Sequence, residues 1–296
     1  MVYKSLIMKY IMVISIPVSR IMDDKRKRKI IRSITQFIKA EIRTRKSNGL
    51  IIGMSGGIDS SVAAWLAVKA LGTEKVFGLI LPDSSVTPRK DTKDAEELAQ
   101  KLKISYKVIE VGKSKNQLLR HLPKNKLARA NFLVRLRMSI LYYYAALLNR
   151  LVLGTGDKSE LRLGYFTKYG DAAVDLMPLG DLYKTEVREL ADFMQIPSKI
   201  SRKKSSARLW KGQTTEGEIG LAYEKIDSIL MRFENLQEGK GKVPKIRPQC
   251  FDNVYTGTNG LRIRECSAAD VKRVLAIIER NGHKLTPAPI CKIRKV

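Results

Sequence analysis

Residues 53–60, Gly53-Met54-Ser55-Gly56-Gly57-Ile58-Asp59-Ser60, place two adjacent glycines, two hydroxyls and a carboxylate in one short stretch. Upstream lies the apolar run Leu50-Ile51-Ile52, and from Ser60 the residues SSVAAWLAVKAL repeat their apolar members at helical spacing. The pattern reads as a strand, a tight loop and a helix start. Glycines let backbone N–H groups approach phosphate oxygens, Ser55, Ser60 and Ser61 add donors, and the helix dipole favours an anion. Asp59 would repel a bare phosphate; beside one, it fits as a ligand of Mg²⁺, which combines carboxylate and phosphate oxygens. The lysine that completes a Walker A loop is missing, which excludes a GTPase or kinase P-loop. A tight strand-to-helix turn with no ligand is the bland alternative, and the complete strand–SGGxDS–helix pattern is more specific than a glycine-rich turn.

The elements that must position this loop alternate in type. A helix over Asp23–Lys46 carries Ile30, Ile31, Ile34, Phe37, Ile38 and Ile42 at helical intervals. The strand at LIIGM and its helix are followed by strands at 76–82 and 106–111, separated by a helix at Asp91–Leu102. A long helix from Leu127 to Arg150 leads into a fourth strand, 151–155. Such alternation predicts an α/β fold, a doubly wound parallel sheet with flanking helices. Ligands of these sheets bind at the carboxyl ends of strands, which gathers SGGIDS, PDSSVTP and GTGDKSE around one crevice. Beyond Pro178 the sequence is helical, in YKTEVRELADFM and EGEIGLAYEKIDSILMRF, and ends in a helix at Ala268–Arg280. The Gly-, Pro- and Lys-containing stretch between them reads as a long loop.

The 296 residues suffice for a full core, and 56 Lys+Arg against 29 Asp+Glu give a net charge of +27. That charge favours anionic partners and admits nucleic acid, although a generally basic surface has the same composition. Cys250, Cys266 and Cys291 are odd in number and widely spaced. They form neither a disulfide framework nor a C-x-x-C metal site, which points to a reducing, cytoplasmic setting. The first residues are basic and then apolar like a signal peptide, but Lys9 interrupts the run and no small-residue cleavage site follows. Residues 1–22 are therefore read as an N-terminal extension of unknown role, an extra strand or a sequence ahead of a true start at Met12 or Met22. No other stretch approaches a membrane span, so no membrane partner is expected.

The motif GMSGGIDSS resembles the pyrophosphate loop of N-type ATP pyrophosphatases, which adenylate a substrate and then let a nucleophile displace AMP. The segments RLRM, LVLGTGDKSE, GYFTKYGDAAVDLMPLGDLYKTEVREL and LWKGQTTEGEIGLAYEKIDSIL resemble one branch of that superfamily, the NAD synthetases, in order and spacing. The likeness runs over about residues 24–240 and resumes at ERNGHKL. It implies an adenine nucleotide α-hydrolase-like fold, a helical C-terminal part, and one domain over 23–296 with a loop insertion at 241–262. By the same resemblance, Asp59 and Glu160 are magnesium ligands. Gly53, Met54, Ser55, Gly56, Gly57, Ile58, Asp59 and Ser60 cradle ATP, with Thr155, Lys184 and Ser206 as further contacts. Arg135, Lys168, Asp175, Glu218, His283 and Lys284 hold deamido-NAD, and Asp171 acts near the site of amide formation. Lys184 would neutralise phosphate charge.

This sequence departs from the family at three places. Ser205 stands in a proline position, Arg208 where glycine is common, and Thr215 where an acidic residue is usual. The implied activity is the ATP- and Mg²⁺-dependent amidation of deamido-NAD with ammonia, through an acyl-adenylate. Glutamine-using members carry an additional amidohydrolase domain with a nucleophilic Cys, for which 296 residues leave no room. The family is dimeric, so a homodimer is implied by resemblance alone. The rivals are a tRNA-modifying adenylase, suggested by the +27 charge, and a nucleotide-binding protein that has lost catalysis. Catalytic cysteines near the nucleotide loop would favour the first; retention of both Asp59 and Glu160 argues against the second.

Overall fold

The computed structural model describes residues 21–237 and 266–291. Its sheet has four parallel strands in the order β3-β2-β1-β4: β1 Leu50–Gly53, β2 Val76–Ile80, β3 Ser105–Val108 and β4 Leu151–Leu153. Leu50 is in register with Val76 on one side and Leu151 on the other. The helices between them are α1 Asp24–Thr44, α2 Ile58–Leu71, α3 Arg89–Lys101, α4 Gly112–Leu119 and α5 Lys126–Leu148. After β4 come α6 Lys158–Leu163, α7 Lys184–Phe193, α8 Ser198–Ser201, α9 Thr215–Ile219, α10 Tyr223–Gln237 and α11 Ala268–Asn281.

Strand pleating sends alternate residues to opposite faces. Leu50 and Ile52 join a core built with Ile38 and Ile42 of α1, Leu66 and Ala67 of α2, and Val187 and Leu190 of α7. Ile51, Leu79 and Val152 point the other way, against Leu133, Met138, Leu141 and Ala145 of α5. Helix α2 is buried almost all round, which its run of Val62, Ala63, Ala64, Leu66 and Ala67 permits by keeping the helix slim.

Several boundaries differ from the sequence reading. Helix α2 begins at Ile58, so Asp59 lies in its first turn. Strand β2 ends at Ile80 because the carbonyl of Leu81 accepts from Arg137 Nε at 2.9 Å. The predicted helix over EGEIGLAYEKIDSILMRF is two helices, broken where Gly220 adopts a left-handed φ of +76° and its N–H bonds Glu216 O at 2.8 Å. The short helix α4 was not anticipated. The extension apart from its last two residues, the 241–262 insertion and Cys250 lie outside the described residues. Met22 itself is buried, and its N–H donates to Glu189 Oε2 at 2.7 Å.

Backbone contacts divide the chain into two compact units, one of Met22–Leu161 with Tyr165–Gly220, the other including Arg162–Gly164 and the described residues from Leu221 onward. In the second unit Lys225 pairs with Asp270 at 2.7 Å, and Ser267 caps α11 in a reciprocal capping box with Asp270. Asn281 Nδ2 donates to Leu163 O at 3.0 Å and Lys284 Nζ to Gly164 O at 2.8 Å.

Candidate active site

The strand order reverses between β1, whose chain continues to β2 and β3 on one side, and β4, which flanks it on the other. At such a switch point the loops leaving adjacent strands diverge and open a crevice at the carboxyl edge. Here those loops are SGGIDS after β1 and GTGDKSE after β4. Within the larger unit they border a cavity of about 250 Å³. Gly53, Met54, Ser55, Asp59 and Ser60 line one side, and Gly154, Thr155 and Glu160 another. Arg137, Met138 and Leu141 of α5, Asp171 and Val174, and the segment Ser205–Arg208 complete most of the wall.

The glycine loop is held by its own hydroxyls. Ser60 Oγ donates to Gly57 O at 3.1 Å and accepts from Ser55 N at 3.3 Å, while Ser61 Oγ donates to Gly57 O at 2.8 Å. Gly57 is the N-cap of α2 and supplies no side-chain cap; its N–H donates to Ser55 Oγ at 3.3 Å, and Asp59 and Ser60 of the first turn bring the helix start to the cavity wall.

Lys184 departs most from expectation. It is fully buried at the first position of α7, where the helix dipole disfavours a cation. Three carboxylates outweigh that cost: Nζ lies 2.7 Å from Asp59 Oδ1, 2.6 Å from Asp157 Oδ2 and 3.3 Å from Glu160 Oε1. It is absent from the cavity wall and reaches the cavity through Asp59 and Glu160. Asp157 is also fully buried; its Oδ1 accepts from Glu160 N at 2.8 Å and so caps the helix that carries Glu160. Sequence reading missed Asp157, although Asp157 followed three residues later by Glu160 has capping-box spacing.

Burial pushes the carboxyls of Asp157 and Glu160 up against the pull of the Lys184 ammonium, with neighbouring carboxylates adding to the rise. One ammonium leaves three ionised carboxyls short of two positive charges. Oxygens of Asp59, Asp157 and Glu160 all lie within 4.8 Å of one another. A hard, all-oxygen set with that charge deficit fits a divalent magnesium ion.

The other expected residues divide into groups. Thr155, Asp171 and Ser206 line the cavity; Asp171 Oδ1 accepts from Thr167 N at 2.7 Å. Gly56, Gly57 and Ile58 shape the loop without forming the wall. Arg135 is exposed and donates through Nε to Lys168 O at 3.1 Å, while the Lys168 ammonium sits 5.3 Å from the Tyr169 ring centre. Asp175 serves the fold: its Oδ2 accepts from Val152 N of β4 at 2.7 Å. Burial, then the charge and hydrogen bond of Asp175, push the Tyr142 hydroxyl up to about 12. Glu218 accepts from Tyr165 Oη and from Gln213 Nε2. His283 and Lys284 belong to the second unit, His283 Nδ1 lying 3.2 Å from Arg280 O.

Arg137, two residues beyond Arg135 on α5, packs into the wall, and burial lowers its pKa against the opposing pull of Asp83, Glu110 and Asp171. Arg208 carries the left-handed φ, +52°, that explains why glycine is common there.

A family model described as NAD synthase matches residues 30–288. The chain belongs to the NAD synthase family. It is 41% identical over 271 residues to the NH(3)-dependent NAD(+) synthetase of Archaeoglobus fulgidus, covering 90% of this chain and 97% of that protein. Identity to the enzyme of the same name from Staphylothermus marinus is 43% over 262 residues, covering 88% and 89%. Among solved structures, this NAD synthase family member superposes on NMN synthetase from Francisella tularensis with a TM-score of 0.75, at 32% identity over 90% of this chain and 99% of that one. For the NH3-dependent NAD synthetase of Campylobacter jejuni the TM-score is 0.70, at 29% identity over 92% and 100%.

Proposed function

We propose that this protein amidates deamido-NAD to NAD with ATP and ammonia. The observation that carries the reading is the convergence of Asp59 and Glu160, from the first turns of the helices that follow β1 and β4, on the wall of a glycine-loop cavity. In the first half-reaction the nicotinate carboxylate oxygen attacks the α-phosphorus of ATP; the bond to the β-phosphate bridging oxygen breaks and pyrophosphate leaves. In the second, ammonia attacks the acyl carbon, loses a proton and displaces AMP.

Gly53–Ser60, Thr155 and Ser206 hold the triphosphate, with loop amides and the α2 N-terminus aimed at its oxygens. Mg²⁺, held by Asp59 and Glu160 beside Asp157, supplies neutralisation of phosphate charge when bound. Lys184 keeps those carboxylates gathered and lowers their mutual repulsion. Arg135, Lys168, Asp175, Glu218, His283 and Lys284 are assigned to deamido-NAD, and Asp171 to orienting ammonia or taking its proton.

Among the described residues no helix is long and apolar enough to cross a membrane. The cysteine pattern supports a cytoplasmic setting, and family resemblance supports a homodimer and a single NAD synthetase domain over 23–296; sedimentation at micromolar concentration tests the dimer.

The deciding experiment is ATP–pyrophosphate exchange with deamido-NAD, deamido-NMN or total tRNA as acceptor. Exchange dependent on deamido-NAD, followed by NAD on adding ammonium, supports the reading. Preference for deamido-NMN would make NMN the product, as the name of the Francisella relative says of that protein, and tRNA-dependent exchange would replace the reaction.

A further inference from the structure

Outside the carboxylate cluster, a second ion network, centred on buried Asp91, joins the glycine loop to the segment Ser205–Arg208 of the cavity wall. The first turn of α3 abuts the loop so closely that a Cβ on Gly56 would lie 2.1 Å from Asp91 O. Asp91 is buried, and its two carboxylate oxygens are taken by cations from a single distant segment. Lys203 Nζ lies 2.8 Å from Oδ1, and Arg208 Nε 2.7 Å from Oδ2. The same Lys203 ammonium donates to Gly56 O at 2.8 Å and pairs with buried Asp94. Residues 205–208 then line the cavity together with Ser55 and Asp59. Arg208 holds its left-handed backbone with its side chain anchored in this network and its N–H bonded to Ser206 Oγ at 3.1 Å.

We propose that Asp91 is a positioning residue for ATP: through Lys203 and Arg208 it fixes the glycine loop and the Ser205–Arg208 segment relative to each other, so that both meet one triphosphate. The inference rests on the ATP-dependent reading above. A glycine at 208 reaches the left-handed conformation without an anchor. Arginine there makes the backbone depend on the ion pair, which ties a departure from the family pattern to Asp91.

Asp91→Asn removes the charge shared by two cations, and Arg208→Gly removes one anchor while keeping the conformation accessible. The expected result for Asp91→Asn is a KM for ATP raised about tenfold, with KM for deamido-NAD changed less than about twofold and kcat at saturating ATP largely kept. Arg208→Gly should weaken ATP by a smaller factor. In the double variant the two effects should fall short of multiplying, because both break one connection. Direct ATP binding by calorimetry without deamido-NAD gives the same comparison when the amidation assay fails, so an error in substrate is separable from an error here. If Asp91→Asn does not fold, Arg208→Gly alone decides, and unchanged ATP affinity in it overturns the proposal. An equal rise in both KM values, or multiplying effects in the double variant, overturns it as well.

Discussion

At the level of single residues, position in the cavity separates groups that are neighbours in sequence. Lys168 and Asp171 are three residues apart, yet Asp171 lines the cavity while Lys168 lies over Tyr169 and offers its carbonyl to Arg135. Lys168→Ala is expected to raise KM for deamido-NAD and weaken adenylation. Asp171→Asn should still release a burst of pyrophosphate but transfer ammonia slowly, with partial relief at higher pH where free NH₃ is more abundant. Asp59→Asn is the reference, since an amide cannot replace a charged magnesium ligand and the burst itself should be lost. A burst abolished equally in Asp171→Asn would assign that carboxylate to binding rather than amide formation. Asp175 poses a different question, because its carboxylate already bonds the backbone of β4. Asp175→Ala should cost about 1–3 kcal/mol in urea unfolding, from the stranded Val152 N–H. Wild-type stability with a raised KM for deamido-NAD would return Asp175 to substrate binding alone.

Among the elements, the glycine loop gives the sharpest contrast. Gly56 and Gly72 both adopt left-handed φ, +72° and +82°, but a Cβ on Gly56 strikes Asp91 backbone whereas one on Gly72 meets nothing within 4 Å. Gly72→Ala, just past α2 at φ +82° and ψ +169°, should lose about 1–3 kcal/mol of stability, the conformational cost alone. Gly56→Ala must also push α3 from the loop, and should lose more stability and most ATP affinity. Denaturant midpoints and ATP calorimetry on both variants check this, and equal losses would show that steric contact with α3 is unimportant. The strand–loop–helix from Leu50 to Leu71 was legible because its signals are local: a β-branched run, paired glycines and a long apolar, alanine-rich run. The break at Gly220 and the early stop of β2 were not, since one depends on a backbone angle and the other on an arginine 56 residues away.

For the whole molecule, the +27 charge is the feature most open to misreading. Part of the basic complement is internal: Lys184 is fully buried among carboxylates, and Lys203 and Arg208 are committed to Asp91. If the rest is a generally basic surface, tRNA should bind without sequence preference and lose affinity steeply as salt rises. Filter binding of total and individual tRNAs across a salt series measures this; tight, salt-resistant binding of one tRNA would favour the adenylase reading.

Sequence alone determined the alternating α/β order, the phosphate-type loop and the family, because these reside in periodicity and contiguous motifs. It also marked Asp59 and Glu160 as partners, by resemblance. Only the tertiary structure decided that Lys184 is an internal counter-charge, that Asp157 joins the cluster, and that Arg208 is tied to Asp91. Asp59 and Lys184 are 125 residues apart, and their contact depends on parallel pairing of β1 with β4 setting two loop ends side by side. Burial then selects the charge state and partner of each group, since a buried ammonium or carboxylate persists only where opposite charge surrounds it.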